Sequence, residues 1–197
     1  MSADTDELDR EDIARLVAGR DTALDDLMGR HAEKLYHYLL RILQNETEAA
    51  DLAEETFVRV YEHRTSFNPR HKFSTWLYTI ATNLTRSLQR SRARHPQVSL
   101  DVPVGETGRD FKEILPDSSP SPHESLEGSE RADAVRRAVA ALPEDLRLAL
   151  ILTVYEDKSQ EEAGKILGCS SKAIEMRIYR ARNLLRGQLQ ALYAETL

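Results

Sequence analysis

Apolar residues recur three and four positions apart through most of this chain, the spacing that lays one side of a helix against a core. From Asp9 to about Arg94 the pattern marks three stretches. Leu24, Leu27, Met28, Leu35, Leu39, Ile42 and Leu43 form the first. Leu52, Phe57, Val58, Val60 and Tyr61 form the second, entered through Asn45 or Thr47 as the capping residue. Phe73, Trp76, Leu77, Ile80, Leu84 and Leu88 form the third. Between the last two, the segment SFNPRHK (66–72) holds Pro69, which stops a helix from continuing.

The pattern fails over 96–123. Five prolines (96, 103, 116, 120 and 122), two glycines and several serines interrupt every period. Such a stretch is expected to be a flexible linker, longer than one compact core usually contains. Helical spacing resumes near Glu124 and predicts four segments. Val135, Val139 and Leu142 belong to the first. Pro143 is expected at the first position of the second, with Glu144 and Asp145 at its positive end and Leu146, Leu150, Ile151 and Val154 continuing it. Ser159 and Glu162 have the spacing of a capping box opening a third, through Leu167. Gly168 ends it, and Ser170 or Ser171 caps a fourth that runs to about Ala191. No strand pattern appears, so the expected fold is all-α: two small helical domains joined by a linker, residues 1–95, 96–126 and 127–197.

Composition places the chain among globular proteins, with 41% hydrophobic and 30% charged residues. No apolar run reaches the roughly 20 residues of a membrane span. The opening MSADTDELDRED lacks the basic start and apolar stretch of a secretory signal, so a cytoplasmic address without membrane insertion is expected. Cys169 is the single cysteine, and the six histidines are scattered without metal-ligand or HExxH spacing. No catalytic constellation stands out either; an enzyme, a metal site or a bound cofactor is not expected.

The net charge of −6 misleads about polyanion binding, because it is unevenly spread. Residues 96–130 alone carry eight acids against Arg109 and Lys112. Residues 63–100 hold Arg64, Arg70, Lys72, Arg86, Arg90, Arg92 and Arg94 and no acid. A local basic stripe is the better guide to a nucleic-acid surface. In the second half, 159–185 has the layout of a helix-turn-helix. Ala163, Ile166 and Leu167 point inward, Gly164 is small where the helices cross, Gly168 permits the turn, and Ile174 and Ile178 are buried. Lys172, Glu175, Arg177, Tyr179, Arg180 and Arg182 remain for an outer face that fits the major groove. A helical hairpin with a solvated charged face would share much of this pattern.

These residues carry a resemblance. LPEDLRLALIL (142–152) and a helix-turn-helix ending IYRARNLL (178–185) resemble the promoter-binding C-terminal domain of sigma factors of the sigma-70 family, extracytoplasmic-function (ECF) branch. DLAEETFVRVYEH (51–63) and FSTWLYTIATNLTRSLQR (73–90) resemble the other domain of that branch, in the right order. The resemblance covers roughly 20–95 and 127–190. It implies a factor that binds the clamp and flap regions of core RNA polymerase and carries it to promoter DNA, in a stress or envelope response. It also implies control by an anti-sigma factor. Asp51, Glu54, Glu55, Phe57 and Arg59 would dock on the polymerase clamp, although Phe57 and Val60 also suit a core. Ser66, Phe67, Asn68, Lys72, Asn83, Arg86 and Arg90 would capture the −10 strand, where a basic track and aromatic groups suit single-stranded DNA. Trp76 and Tyr78 suit a core better than a base stack. Lys172, Glu175, Met176, Arg177, Tyr179 and Arg180 would meet the −35 duplex.

The sequence departs from the family at Ser87, often an acid, and at Glu175 and Met176, where a basic and a small polar residue are frequent. These departures put the promoter sequence in doubt. The resemblance also implies that the acidic linker, with Phe111, Ile114 and Leu115 as its apolar anchor, threads the polymerase's basic channel; a solvated tether would have the same composition. A helix-turn-helix regulator working without polymerase would explain 127–190 but not the basic stretch 64–94, and a sequestering adaptor would explain neither basic face.

Overall fold

The computed structural model describes residues 3–94 and 126–194. Every regular element among them is helical. They fall into two compact units: residues 3–39 and 45–94 form the first, and residues 126–194, with which 40–44 group, form the second. Residues 95–125, including the acidic segment with Phe111, Ile114 and Leu115, lie outside the described residues.

The first unit contains α1 (Ala3–Val17), α2 (Thr22–Leu43) as far as Leu39, α3 (Glu46–Glu62), a 3-10 turn (Arg64–Ser66) and α4 (Phe73–Arg94). The hydrophobic pattern marks three helices here, and the structure has four. The additional one is α1, whose inward stripe is half polar: Asp9, Asp12, Ile13 and Leu16 are all buried, at positions i, i+3, i+4 and i+7. Gly19, at φ +84°, separates α1 from α2. Asn45 is the cap of α3, its side chain accepting from the Glu48 N–H. α3 buries Ala49, Ala50, Ala53, Thr56, Phe57 and Val60, and the small alanines let it approach α4 closely. On α4, the hydroxyls of Thr82 and Thr85 donate back to the carbonyls of Tyr78 and Ala81. With its one hydrogen so used, the Thr82 hydroxyl accepts from the Tyr38 hydroxyl at 2.8 Å, joining α2 to α4 in the interior.

The second unit contains α5 (Leu126–Ala140), α6 (Glu144–Leu150), a π-helical turn (Ile151–Tyr155), α7 (Gln160–Leu167) and α8 (Ser171–Ala194). Two details differ from the sequence reading. Pro143 sits at the cap of α6, one residue before the helix. The segment after Leu150 does not continue as α-helix; it widens, with the Glu156 N–H donating to the Ile151 carbonyl at 3.2 Å and Lys158 to Leu152 at 2.9 Å. The capping box is complete: the Ser159 hydroxyl accepts from the Glu162 N–H, and the Glu162 carboxylate accepts from the Ser159 N–H. Such a cap is worth about 1 kcal/mol. Leu148, Ile151, Leu152, Ala163, Ile166, Ile174 and Ala181 close the core between α6, α7 and α8.

Candidate nucleic-acid interface

Gly168 leaves α7 in the left-handed conformation (φ +70°), which admits glycine without strain. The Cys169 N–H donates to the Gly164 carbonyl at 2.9 Å. A Cβ on Gly164 would stand 2.6 Å from the Cys169 carbonyl oxygen and 3.4 Å from the nitrogen of Ser171, the first residue of α8, so Gly164 makes room for the backbone of the turn and for the start of the helix beyond it. Ser170 proves to be the cap of α8, its hydroxyl accepting from the Ala173 N–H at 3.2 Å. This turn fixes which side of α8 is free. Ile174, Ile178 and Ala181 are buried. Lys172, Glu175, Met176, Tyr179 and Arg180 are exposed, at i, i+3, i+4, i+7 and i+8, and so share one face. Tyr179 is 61% exposed. Lys172 bonds Glu175 at 2.8 Å.

Arg177 departs from that face. Its guanidinium reaches back to Asp145 on α6 at 3.0 Å and to the Cys169 sulfur at 3.3 Å. The structure therefore assigns it a bond within the unit that sequence spacing does not reveal. Beside the exposed face runs an open cavity of about 460 Å³, lined by Val154, Lys158, Glu175, Tyr179 and Arg182 among others. Val154, which the hydrophobic spacing assigns to the inner stripe of the second segment, is instead 48% exposed and lines this cavity with Lys158; their place next to Tyr179 follows from the π-helical turn.

In the first unit, the basic stretch wraps the head of α4. Phe67 is half-buried, its ring 5.2 Å from Trp76 and 6.2 Å from Phe73. Trp76 is itself half-buried, so it lines the rim of the core rather than its centre. Trp76, Asn83 and Arg90 recur every seven residues and share a face of α4, with Arg86 between them. Asn83 and Arg90 are exposed. Ser66 and Asn68 are exposed but occupied by the loop itself: the Ser66 hydroxyl donates to the His63 carbonyl at 2.7 Å, and the Asn68 side chain accepts from the Arg70 N–H at 3.0 Å. Lys72 lies 3.5 Å from Asp6 on α1.

The outer side of α3 carries Asp51, Glu54, Glu55, Val58, Arg59 and Glu62, again at helical spacing. Arg59 bridges Glu55 at 2.7 Å and Glu62 at 3.3 Å. Phe57 is 2% exposed, so its ring belongs to the core and supports this face from inside. The apolar residue on the face is Val58, 44% exposed, which the i+3 and i+4 spacing from Glu55 and Glu54 would have located.

Comparison with known proteins decides what these faces belong to. Residues 27–95 match the family model for sigma-70 region 2, and residues 132–185 match that for sigma-70 region 4. The ECF RNA polymerase sigma factor SigW of Bacillus subtilis is 34% identical over 182 residues, covering 91% of this chain and 96% of that protein. The chain belongs to the ECF branch of the sigma-70 family. As a sigma factor it binds core RNA polymerase, directs promoter-specific transcription initiation and is not an enzyme. The RNA polymerase sigma-H factor of Pseudomonas aeruginosa is 31% identical, covering 97% of this chain and 98% of its own. Among solved structures, that of CnrH in complex with the cytosolic domain of CnrY has a TM-score of 0.64 at 26% identity, covering 93% of this chain and 98% of the other. The sigma factor RpoE of Bartonella quintana, in complex with the anti-sigma factor NepR, has a TM-score of 0.65 at 26% identity, covering 87% and 98%. Among the described residues of this sigma factor, no helix is long and apolar enough to cross a membrane.

Proposed function

We propose a division of labour between the units. Residues 1–95 hold core polymerase and the −10 strand, residues 127–197 hold the −35 duplex, and 96–126 connect them. Asp51, Glu54, Glu55 and Arg59, with Val58 at their centre, dock on the polymerase clamp, and the second unit meets the flap. Phe67, Lys72, Asn83, Arg86 and Arg90 capture the −10 strand, with Ser66 and Asn68 shaping the loop. Lys172, Glu175, Met176, Tyr179 and Arg180 face the −35 element.

The observation that carries this reading is the single exposed track on α4. Asn83 and Arg90 share a face with Trp76, whose ring lies tilted against that of Phe67, within a stretch that contains no acid from 63 to 94. A cationic track ending in aromatic rings suits a single strand better than a duplex. We extend the reading to regulation: an anti-sigma factor holds this chain inactive until a stress or envelope signal releases it. Two solved relatives captured with protein partners support that extension.

Run-off transcription with core polymerase, on DNA upstream of the chain's own gene, tests the proposal. Promoter-specific product should depend on this protein. Permanganate footprinting should show an Asn83→Ala holoenzyme opening the −10 region less than wild type. Normal opening by that variant removes Asn83 from the site.

A further inference from the structure

A polar cluster lies in the interior of the first unit, between α1 and α2. Asp9 is fully buried and His31 is 3% exposed. The imidazole Nε2 lies 2.9 Å from both carboxylate oxygens of Asp9. Arg30 joins them, its Nε 3.0 Å from Asp9 and its other end bonded to Asp12. None of these groups belongs to the DNA-facing or polymerase-facing surfaces described above.

The imidazole has a second neighbour. Its ring lies 5.1 Å from that of Phe73, the first residue of α4. Phe73 lies 6.2 Å from Phe67 and 6.1 Å from Trp76, which themselves stand 5.2 Å apart. Contacts therefore pass without a gap from Asp9 on α1, through His31 on α2, to the aromatic rings at the head of the −10 track. A leucine or phenylalanine at position 31 would fill the space against Phe73 without the cost of burying polar groups. A carboxylate held on one ring nitrogen contributes something that an apolar contact lacks. It is directional, and it fixes the plane of the imidazole against which Phe73 rests.

We propose that Asp9 and His31 are positioning residues for −10 strand capture: Asp9 orients His31, and His31 seats Phe73 so that Phe67 and Trp76 present their rings to the unstacked strand. This rests on the assignment of the −10 strand to the Phe67–Arg90 track. It gives α1, whose sequence offers no DNA-binding feature, a part in promoter opening.

His31→Gln separates positioning from stability, because the amide keeps a donor for Asp9 while the ring is lost. Trp76 is the chain's only tryptophan, so its emission in the free full-length protein reports on the ring cluster. We expect His31→Gln to shift that emission. Its holoenzyme should bind a single-stranded non-template −10 oligonucleotide about tenfold more weakly, the scale of one lost base–aromatic stack. Assembly with core polymerase and binding to duplex carrying the −35 element should be unchanged. Asp9→Ala should reproduce the defect, and Asp9→Asn, which keeps an acceptor for His31, should restore most of the binding. Wild-type emission and −10 affinity in His31→Gln and Asp9→Ala overturn the proposal. So does a loss shared equally by −10 binding and core assembly, since that is loss of fold. Phe67→Ala keeps the two readings apart: normal −10 capture by that variant removes the underlying assignment, whereas a defect in Phe67→Ala with none in His31→Gln removes only the positioning role.

Discussion

Gly164→Ala tests whether the turn of the helix-turn-helix is built as described. The new Cβ would meet the Cys169 carbonyl oxygen at 2.6 Å, and that oxygen must retreat by about 0.8 Å to reach the 3.4 Å of ordinary contact. It is backbone, and it cannot swing aside as a long side chain would. Its own residue is tied by the Cys169 N–H bond to the Gly164 carbonyl, and the next residue caps α8. Overpacking of this kind costs about 1–3 kcal/mol, and loosening the turn bond adds about 1 kcal/mol. The better helix propensity of alanine returns about 1 kcal/mol. The net loss is about 1–3 kcal/mol, which lowers the melting temperature of a unit this size by roughly 4–8 °C per kcal/mol. Two other glycines supply the controls. Gly168→Ala meets open space but must hold φ +70°, so it should cost about 1–2 kcal/mol by backbone strain alone. Gly29→Ala, in α2 with open space around it, should stabilise by about 0.5–1 kcal/mol. Thermal unfolding of the full chain by circular dichroism, with binding of the holoenzyme to −35 duplex, reads all three. A Gly164→Ala protein as stable as Gly29→Ala, with wild-type −35 affinity, would refute the close approach.

Reversing Glu54 and Glu55 to lysine should weaken core polymerase binding with helicity intact. Phe57→Ala should instead cost about 3–5 kcal/mol of folding and reduce binding only through the fold; chemical denaturation beside a core-binding titration separates them. Arg180→Ala should weaken −35 binding by about 1–3 kcal/mol if it contacts a base bidentately, and should flatten the salt dependence. Arg177→Ala should leave the salt slope nearly unchanged, and equal slopes for the two variants would contradict the separation seen on α8. Burial pushes the Asp12 carboxyl up, but hydrogen bonds from Arg15 and Arg30 outweigh it and hold it below the usual carboxylate value. Its contribution to stability is therefore complete above the unfolded value of about 3.9 and is lost as pH falls through the lower folded value. An Asp12→Asn protein should show a shallower acid-side loss of stability than wild type.

The positions that sequence made legible are those whose physics is local. Ser159 with Glu162, and Gly168, each act within a turn of their own helix and stand where spacing placed them; of the two caps open for α3, Asn45 and Thr47, the structure uses Asn45. Those that stayed hidden depend on distant partners. Arg177 looks like an outer-face cation, but its guanidinium is paired with Asp145 on another helix. The aspartates of α1 resemble a solvated acidic run because the residues that bury them, Arg30 and His31, lie a helix away. Their positions do keep the helical spacing of Ile13 and Leu16, so the period is present in the sequence, but a stripe that is half aspartate does not mark itself as buried. Phe57 reads either way from sequence alone. The run of small residues on its side of α3 (Ala49, Ala50, Ala53) marks that side as the one in contact.

Lys172 and Glu175 bear on how the recognition face would discriminate among base pairs. Their bond is exposed, and such a pair contributes only about 0–1 kcal/mol, so a DNA phosphate competes for Lys172 at little cost. Once Lys172 turns to a phosphate, the Glu175 carboxylate is left close to a polyanion and needs a donor of its own. In the major groove the amino group of cytosine supplies one, that of adenine does so only beside its N7 acceptor, and the O4 of thymine and the O6 and N7 of guanine present only acceptors. Opposite cytosine both side chains are satisfied at once. Opposite thymine or guanine, Glu175 retains Lys172, and the phosphate contact is forfeited together with the base contact. The two losses are coupled, so discrimination at this base pair should exceed what one hydrogen bond provides. Glu175→Gln uncouples them, because an amide neither holds the lysine by charge nor repels phosphate. It should bind −35 duplexes more tightly on average, shift preference towards adenine, which glutamine contacts bidentately, and distinguish cytosine from thymine less. A panel of duplexes differing at single −35 positions measures this. An unchanged preference at every position would remove Glu175 from the base-reading face.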